Sequence, residues 1–201
     1  MPTTVLARLR EHIEPMDRGS RYEDPVDAVL RERGLGQVTG GGSQLSESGE
    51  LEYADIELEL ANLDDALSLV IDSLERAGAP AGSEILGDGG LIREFGTLQS
   101  VAVYLDGVSL PDDVYANLDF DETIRTLTEA AGESSYHGYW QGSQETGLFF
   151  FHTDAETLFD RLEPVLRSLP IGQNARVVIR PRFDSPQIRT VRMPRHPPPA
   201  T

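Results

Sequence analysis

The order of hydrophobic periodicities in residues 99–180 constrains the fold more than any other feature of this sequence. Four segments are short runs rich in apolar, β-branched and aromatic residues, which is typical of strands, and two segments repeat apolar residues every three to four positions, as amphipathic helices do. The predicted strands are residues 99–105, 134–140, 147–152 and 175–179, and the predicted helices are residues 121–131 and 154–168. Their order, βαββαβ, is the split βαβ arrangement called ferredoxin-like.

The first half of the chain shows part of the same order. Strands are predicted at residues 37–39, 51–60 and 84–86, and a helix is predicted at residues 63–77. This order, ββαβ, is an incomplete version of the second half. The predicted fold class is therefore α+β, with two ferredoxin-like (split βαβ) α/β sandwich halves on mostly antiparallel sheets.

The N-terminal residues are predicted to be helical. Val5, Leu6, Leu9 and Ile13 recur at helical spacing, and residues 24–34 begin with Asp-Pro and end with glycine, as helices often do. The two helices together predict an N-terminal helical cap.

Four domains or segments follow from these patterns. Residues 1–35 are predicted to form the helical cap, residues 36–96 the first α/β half, and residues 97–181 the ferredoxin-like second half. Residues 182–201 are rich in proline and arginine and contain few apolar residues, so a disordered tail is predicted there.

The chain is strongly acidic, because it carries 34 acidic residues against 17 basic ones, all of them arginine. Residues 37–160 hold 25 acidic residues and 3 arginines, whereas residues 161–201 hold 8 arginines and 2 acidic residues. Such a charge repels phosphate backbones and attracts basic partners. We therefore expect a basic protein partner and no nucleic acid; the alternative is that the charge serves only solubility.

Several kinds of site and location are excluded by what the sequence lacks. Without cysteine there is no disulfide framework, no Cys-ligated zinc and no thiol nucleophile, and without lysine there is no Schiff base. The lack of cysteine also suits a reducing compartment. The apolar runs fall far short of the ~20 residues that a membrane span needs, and no secretory signal is recognisable. We expect a cytoplasmic protein with no membrane attachment and no cofactor.

The strand at residues 51–60 carries a dense acidic cluster. Its alternation changes parity, which predicts a β-bulge at residues 54–55. With that bulge, five carboxylates share the face opposite the apolar side chains: Glu50, Glu52, Asp55, Glu57 and Glu59. This face is predicted to bind a basic protein, with Asp112 and Asp113 as further contacts. The alternatives are a site for a hard cation and a solvated strand face that prevents aggregation.

Two histidines form the one arrangement in the sequence that resembles a catalytic site. The predicted hairpin turns about residues 144–145, which places His137 opposite His152, with Asp154 nearby. Two imidazoles and a carboxylate can bind zinc or a related metal, and a single histidine can act as a general base. The alternative is two ordinary histidines on an aromatic hairpin, since a slip of one residue would separate the rings.

Two other segments also have competing interpretations. Gly40, Gly41 and Gly42 would suit phosphate binding if a helix followed them, but a strand follows, so a flexible hairpin connection is predicted. The aromatic residues of the histidine hairpin are predicted to pack in the core. The alternative is that Tyr139 and Trp140 line a small groove.

Several strings resemble a family of uncharacterised bacterial proteins over about residues 36–180. They are QVTGGGSQL at 37–45, EYADIE at 52–57, GAPAGS at 78–83, YLDGVSLPDDVY at 104–115 and ARVV at 175–178. No activity is assigned to this family, so the resemblance implies no catalytic residue. Some small acidic bacterial proteins of this type are immunity proteins that neutralise toxins, which is an analogy of type only.

The leading hypothesis is a non-enzymatic acidic binding module that engages a basic protein, in its most concrete form an immunity or inhibitor protein. The first alternative is a small-ligand or metal-dependent enzyme that uses the hairpin of His137 and His152. The second is a structural protein whose open sheet edges pair in a homodimer.

Overall fold

Each half of the chain forms its own five-stranded antiparallel sheet in the computed structural model, which describes residues 2–47 and 49–195. The first unit comprises residues 1–98 and 182–184, and the second comprises residues 99–181 and 185–201. No helix in the described part of the chain is both long enough and apolar enough to cross a membrane.

The first unit has the sheet order β2-β3-β1-β4-β5. Its strands are β1 (Thr3–Leu9), β2 (Gly36–Leu45), β3 (Leu51–Leu60), β4 (Ser83–Gly87) and β5 (Gly90–Phe95). Its helices are α1 (Pro15–Arg18), α2 (Asp24–Arg33) and α3 (Leu63–Arg76), and a π-helical turn spans Gly19–Glu23. Helix α3 begins where the side chain of Asn62 accepts hydrogen bonds from the amides of Asp64 and Asp65, as an N-cap does.

The second unit has the sheet order β10-β9-β6-β8-β7. Its strands are β6 (Gln99–Asp106), β7 (Tyr136–Gln141), β8 (Glu145–His152), β9 (Arg176–Arg180) and β10 (Arg189–Arg192). Its helices are α4 (Asp112–Ala116), α5 (Phe120–Ala131) and α6 (Ala155–Ser168), and a 3₁₀ turn spans Pro170–Gly172. Asp119 and Asp154 cap α5 and α6 through their side chains.

The two units share one topology. In each, the four strands of a βαββαβ unit lie in the sheet order fourth, first, third, second, and a fifth strand extends the sheet beside the fourth. This is the ferredoxin-like arrangement with one added strand. The predicted fold class, with two ferredoxin-like halves on antiparallel sheets, is therefore confirmed.

One face of each sheet packs against the helices of its own unit. In the first unit Leu58 of β3 and Val70 of α3 belong to one buried apolar cluster. In the second unit Phe150 of β8 and Leu158 of α6 belong to another. Removing these side chains from water drives the pairing of sheet and helices in each unit.

The N-terminal segment differs from the sequence prediction. Residues 3–9 form strand β1, not a helix, and β1 lies between β3 and β4. Val5, Ala7 and Leu9 all face the core, which is a period of two. The separate helical cap over residues 1–35 is therefore wrong, because β1 is the first strand of the first ferredoxin-like unit, whereas the predicted helix at residues 24–34 is observed as α2.

The predicted disordered tail is ordered over much of its length. Strand β10 pairs with β9, Val191 packs against the core of the second unit, and Met193 is buried there. In the first unit Arg182 forms an ion pair with Glu94 at 2.7 Å. Residues 182–195 are therefore held in place by apolar residues that alternate along the segment and pack in the core, and by an ion pair. The composition of the segment had predicted disorder. Residues 196–201, which the prediction also covered, lie outside the described residues.

Candidate functional site

The irregularity of β3 lies two residues before its predicted position. Pairing between β2 and β3 shifts register between Leu51 and Tyr53, so the extra residue is Glu52. Pairing between β1 and β3 is continuous from residue 54 to residue 60. The predicted bulge at residues 54–55 is therefore misplaced, and Tyr53 lies on the same face of the strand as Asp55 and Glu57.

The five carboxylates predicted to share one face do not all share it. Asp55, Glu57 and Glu59 alternate with the buried residues of β3 and therefore lie on the face opposite the helices. Glu50 precedes the strand, and its carboxylate lies 3.5 Å from Nε2 of His12. Glu52 is exposed at the register shift.

Asp55 is neutralised within the first unit. Arg8 lies opposite it in the β1–β3 register, and the Nε and Nη2 atoms of Arg8 each donate a hydrogen bond of 2.9 Å to its carboxylate. This hydrogen bonding raises the pKa of Arg8. The guanidinium also lies over the ring of Tyr53, 3.8 Å from the ring centroid. Asp55 is therefore not free to bind a partner's cation.

Glu57 and Glu59 are different, because both are exposed and neither has an ion-pair partner within the described residues. Glu57 lies between Gly40 of β2 and Leu6 of β1, and Glu59 lies beside Gln37 of β2. The cross-strand neighbours of these two carboxylates are thus neutral residues or glycine. These two carboxylates keep their charge on the sheet surface.

The glycine segment forms part of β2, the edge strand next to β3, so the prediction of a flexible connection is wrong. Gly40 pairs with Glu57 and Gly42 pairs with Asp55, which places both glycines on the face of the sheet that carries these carboxylates. A Cβ added at Gly42 would meet no atom within 4 Å, and one at Gly40 would meet only the Glu57 carboxylate, at 3.9 Å. The glycines therefore leave an open trough beside the carboxylates. We call Gly40, Gly42, Glu57 and Glu59 the acidic face.

Asp112 and Asp113 belong to the second unit, where both are exposed in the first turn of α4. Neither has an ion-pair partner in the part of the chain that the structure describes. They are not residues of the sheet that carries the acidic face.

The predicted pairing of His137 with His152 is wrong. In the β7–β8 register Tyr136 pairs with Phe150 and Gly138 pairs with Phe149, so His137 is the extra residue of a bulge. Its ring stacks on Phe151, with the centroids 4.4 Å apart.

His152 instead pairs with Gln99 of β6, and its Nδ1 accepts a hydrogen bond of 3.1 Å from the amide of Asp154. The Asp154 carboxylate caps α6 by accepting from the amide of Thr157, and these hydrogen bonds lower its pKa. Among the described residues there is no group of three or more histidine, aspartate or glutamate side chains that could hold a metal. The three predicted ligands are therefore occupied in packing and capping.

A buried polar cluster in the first unit was not predicted from the sequence. The side chain of Glu11 is fully buried, and it accepts a hydrogen bond of 2.6 Å from the hydroxyl of Tyr22 and one of 3.1 Å from Arg21. Burial first, and the charge of Glu11 second, raise the pKa of Tyr22 well above its ordinary value. The hydroxyl therefore remains a donor to the carboxylate.

A second unpredicted cluster lies at the end of β6. The Asp106 carboxylate accepts hydrogen bonds from the amides of Val108 and Ser109 at 2.9 and 2.7 Å, and from the side chains of Ser109 and Asn174 at 2.5 Å each. Burial alone would raise the pKa of Asp106, but these hydrogen bonds outweigh it and lower the pKa well below its ordinary value. Asp106 stays ionised and holds the loop after β6.

Comparison with known proteins gives no family. No protein-family model matches the chain, and no curated protein matches it. The regulatory subunit of aspartate kinase from Thermus flavus is similar in structure, at 12% identity and a TM-score of 0.28 over 82% of this chain and 93% of that one.

Two other solved structures have similarly low sequence identities and TM-scores. A putative monooxygenase from Fusobacterium nucleatum gives 12% identity and a TM-score of 0.30 over 97% of this chain and 98% of that one. The first two RRM domains of a yeast poly(U)-binding protein give 16% identity and a TM-score of 0.26 over 87% of this chain and 98% of that one. These TM-scores carry no argument about function, and the fold assignment rests on the strand order.

Proposed function

We propose that this chain is a non-enzymatic, cytoplasmic binding protein that docks a basic protein on the acidic face of its first unit, in the manner of an immunity or inhibitor protein. The observation that carries the proposal is the exposed pair Glu57 and Glu59 beside the open glycine strand. Exposed charge of one sign speeds the approach of an oppositely charged partner and selects it.

The charge balance of the first unit supports this proposal. The unit carries 9 arginines against 21 acidic residues. Six of the arginines form ion pairs with carboxylates of the same unit: Arg8, Arg10, Arg18, Arg21, Arg31 and Arg182. Most arginines of the first unit are therefore already paired with other carboxylates. The charges of Glu57 and Glu59 are not neutralised by them, and these two residues keep a negative potential at the sheet surface.

The geometry favours arginine as the partner's cation. Glu57 and Glu59 stand two residues apart on one strand, a spacing of roughly 7 Å. A planar guanidinium can bind a carboxylate through two parallel hydrogen bonds, and the trough over Gly40 and Gly42 gives it room to lie flat. Arginines at alternate positions of an extended segment match this spacing.

The test measures binding of a synthetic peptide with alternating arginine and serine. Glu57→Gln combined with Glu59→Gln is expected to weaken binding about tenfold at low salt, because it removes both carboxylates. Added salt is expected to weaken the wild-type complex, because exposed charges are screened. Isothermal titration calorimetry at two salt concentrations checks both results.

The matched control changes the same amount of charge on the helices of the same unit. Glu32→Gln combined with Asp72→Asn alters two exposed carboxylates of α2 and α3 and is expected to change the affinity by less than about twofold. Gly42→Val fills the trough without changing charge and is expected to weaken binding. Equal losses in both charge variants, or full binding by Gly42→Val, would rule out docking on the acidic face.

A further inference from the structure

A cavity of about 290 Å³ lies within the second unit where β6 ends. The cavity is formed by the end of β6, the segment that joins α4 to α5, the ends of β7 and β8 that meet at their turn, and the 3₁₀ turn. This volume is close to the lower end of the range for ligand pockets of proteins, which is about 300 Å³. The cavity therefore has room for one small molecule. Neither the acidic face nor any predicted metal ligand contributes to it.

Aromatic rings form one side of the cavity. Phe120 at the start of α5 and Tyr139 of β7 both line it, and their rings meet edge to face with centroids 5.4 Å apart. Tyr115 adds a third ring, whose hydroxyl is already bonded to the amide of Leu110. Tyr139 is 49% exposed on the edge strand, so a planar molecule can reach this side from solvent. Rings of this kind bind flat, conjugated ligands by stacking.

Two neutral polar side chains line the same cavity. Gln141 and Thr146 are cross-strand partners of β7 and β8, so they stand side by side. Neither side chain takes part in a hydrogen bond within the described residues. The amide of Gln141 offers a donor and an acceptor, and the hydroxyl of Thr146 offers either. Such a pair matches a ligand edge on which a donor and an acceptor are adjacent, as on a heterocyclic base.

The electrostatics of the cavity exclude anions. Asp106 is the one charged side chain among the described lining residues. Its oxygens are occupied by Ser109, Asn174 and backbone amides, so it adds negative potential without offering a free acceptor. A phosphate or carboxylate ligand would be repelled, and no arginine lines the cavity to offset that repulsion.

We propose that this cavity is a binding site for a neutral, planar heteroaromatic molecule of the size of one nucleobase. The ring lies against Tyr139 and Phe120, and its donor–acceptor edge bonds to Gln141 and Thr146. This site is independent of the acidic face and gives the second unit a binding function of its own.

The probes are adenine, cytosine and nicotinamide, each titrated to millimolar concentration into the ¹⁵N-labelled full chain. We expect at least one of them to shift the amide signals of Gly107, Tyr139, Gln141 and Thr146 in a saturable way. If none of the three shifts these signals, the proposal is wrong.

Variants test the assigned contacts with the probe that binds best. Gln141→Leu keeps the size of the side chain and removes its hydrogen-bonding groups, so affinity is expected to fall about tenfold. Gln187→Leu makes the same change at an exposed position of the second unit that does not line the cavity, and it is expected to leave affinity unchanged. Wild-type affinity in Gln141→Leu would overturn the assignment of the polar edge.

A matched pair of probes tests the exclusion of anions. Adenosine monophosphate carries the base of adenine together with a phosphate, and it is expected to bind more weakly than adenine. Equal or tighter binding of the nucleotide would overturn the assignment of a neutral ligand. Crosspeak dispersion of each variant, compared with the wild type, verifies that the second unit remains folded.

Discussion

Replacing Glu11 with alanine is expected to lower the free energy of unfolding of the first unit by about 3–5 kcal/mol. The substitution leaves the hydroxyl of Tyr22, which is fully buried, without the carboxylate that accepts its hydrogen bond of 2.6 Å. It also removes the partner of Arg21. Hydrogen exchange of the amides of β1, the central strand of this sheet, reports the loss.

Two further variants distinguish the loss of the hydrogen bond between Glu11 and Tyr22 from a general effect of removing a negative charge on stability. Glu14→Ala removes an exposed carboxylate three residues away and is expected to change stability by less than about 0.5 kcal/mol. The combination of Glu11→Ala with Tyr22→Phe is expected to cost less than the sum of the two single changes, because the second change removes the donor that the first leaves unpaired. Strictly additive losses would show that the two side chains do not act as a pair.

Strand β1 was not predicted, in part because the apolar alternation of the segment is interrupted at Glu11, two residues after the strand ends. The odd positions from Val5 to Ile13 all face the core, but one of them is Glu11, and a buried carboxylate does not fit an apolar strand pattern. Read without its partner, the segment fits a helix equally well, since Val5 and Leu9 are four positions apart. Tyr22, whose hydroxyl donates a hydrogen bond to the buried carboxylate of Glu11, belongs to the π-helical turn. The pairing that holds β1 is with the more distant strands β3 and β4, so it is not local either.

The second unit could be predicted more fully because its elements are long and regular. Helix α6 and strands β6 and β8 each carry a clear apolar pattern, and the predicted βαββαβ order is observed. Helix α4, the 3₁₀ turn and strand β10 were not predicted. The hairpin register could not be derived in the same way, because the turn is centred on residues 143–144, one residue before its predicted position, and the bulge at His137 shifts the register further. Gly138, with a φ of 134°, was the available signal, since glycine inside a strand often marks a bulge.

The acidic face and the cavity differ in how far the sequence could reveal them. The alternation of Glu57 and Glu59 with apolar residues is visible in a single strand, whereas the pairing of Asp55 with Arg8 depends on a strand 47 positions away. The cavity brings together Phe120, Tyr139 and Thr146 from separate elements, so no short motif encodes it. Of the two residues predicted from the sequence to line a groove, Tyr139 lines this cavity and Trp140 is not among its lining residues.

Replacing Asp106 with asparagine is expected to destabilise the second unit by about 2–4 kcal/mol near pH 7, and by progressively less as the pH falls. Asparagine has one side-chain oxygen, and its amide would face the donors of Ser109 and Asn174. Urea unfolding followed by the fluorescence of Trp140, the single tryptophan of the chain, measures the effect in the second unit.

The pH dependence follows from the direction of the pKa shift. Hydrogen bonds hold the pKa of Asp106 in the folded state well below the ordinary value near 4 that it regains on unfolding. A depressed folded pKa contributes stability that is complete above the unfolded pKa and is lost as the pH falls toward the folded one. The gap between wild type and variant is therefore expected to narrow from about pH 5 downward.

An exposed aspartate of the same unit gives the matched comparison. Asp160→Asn on α6 removes the same charge from a solvent-facing position and is expected to change stability by less than about 0.5 kcal/mol, with little dependence on pH. If the Asp106 variant instead loses the same stability at pH 3 as at pH 7, the ionised carboxylate is not what holds the loop after β6. The loss would then come from the altered shape of the side chain, which does not titrate.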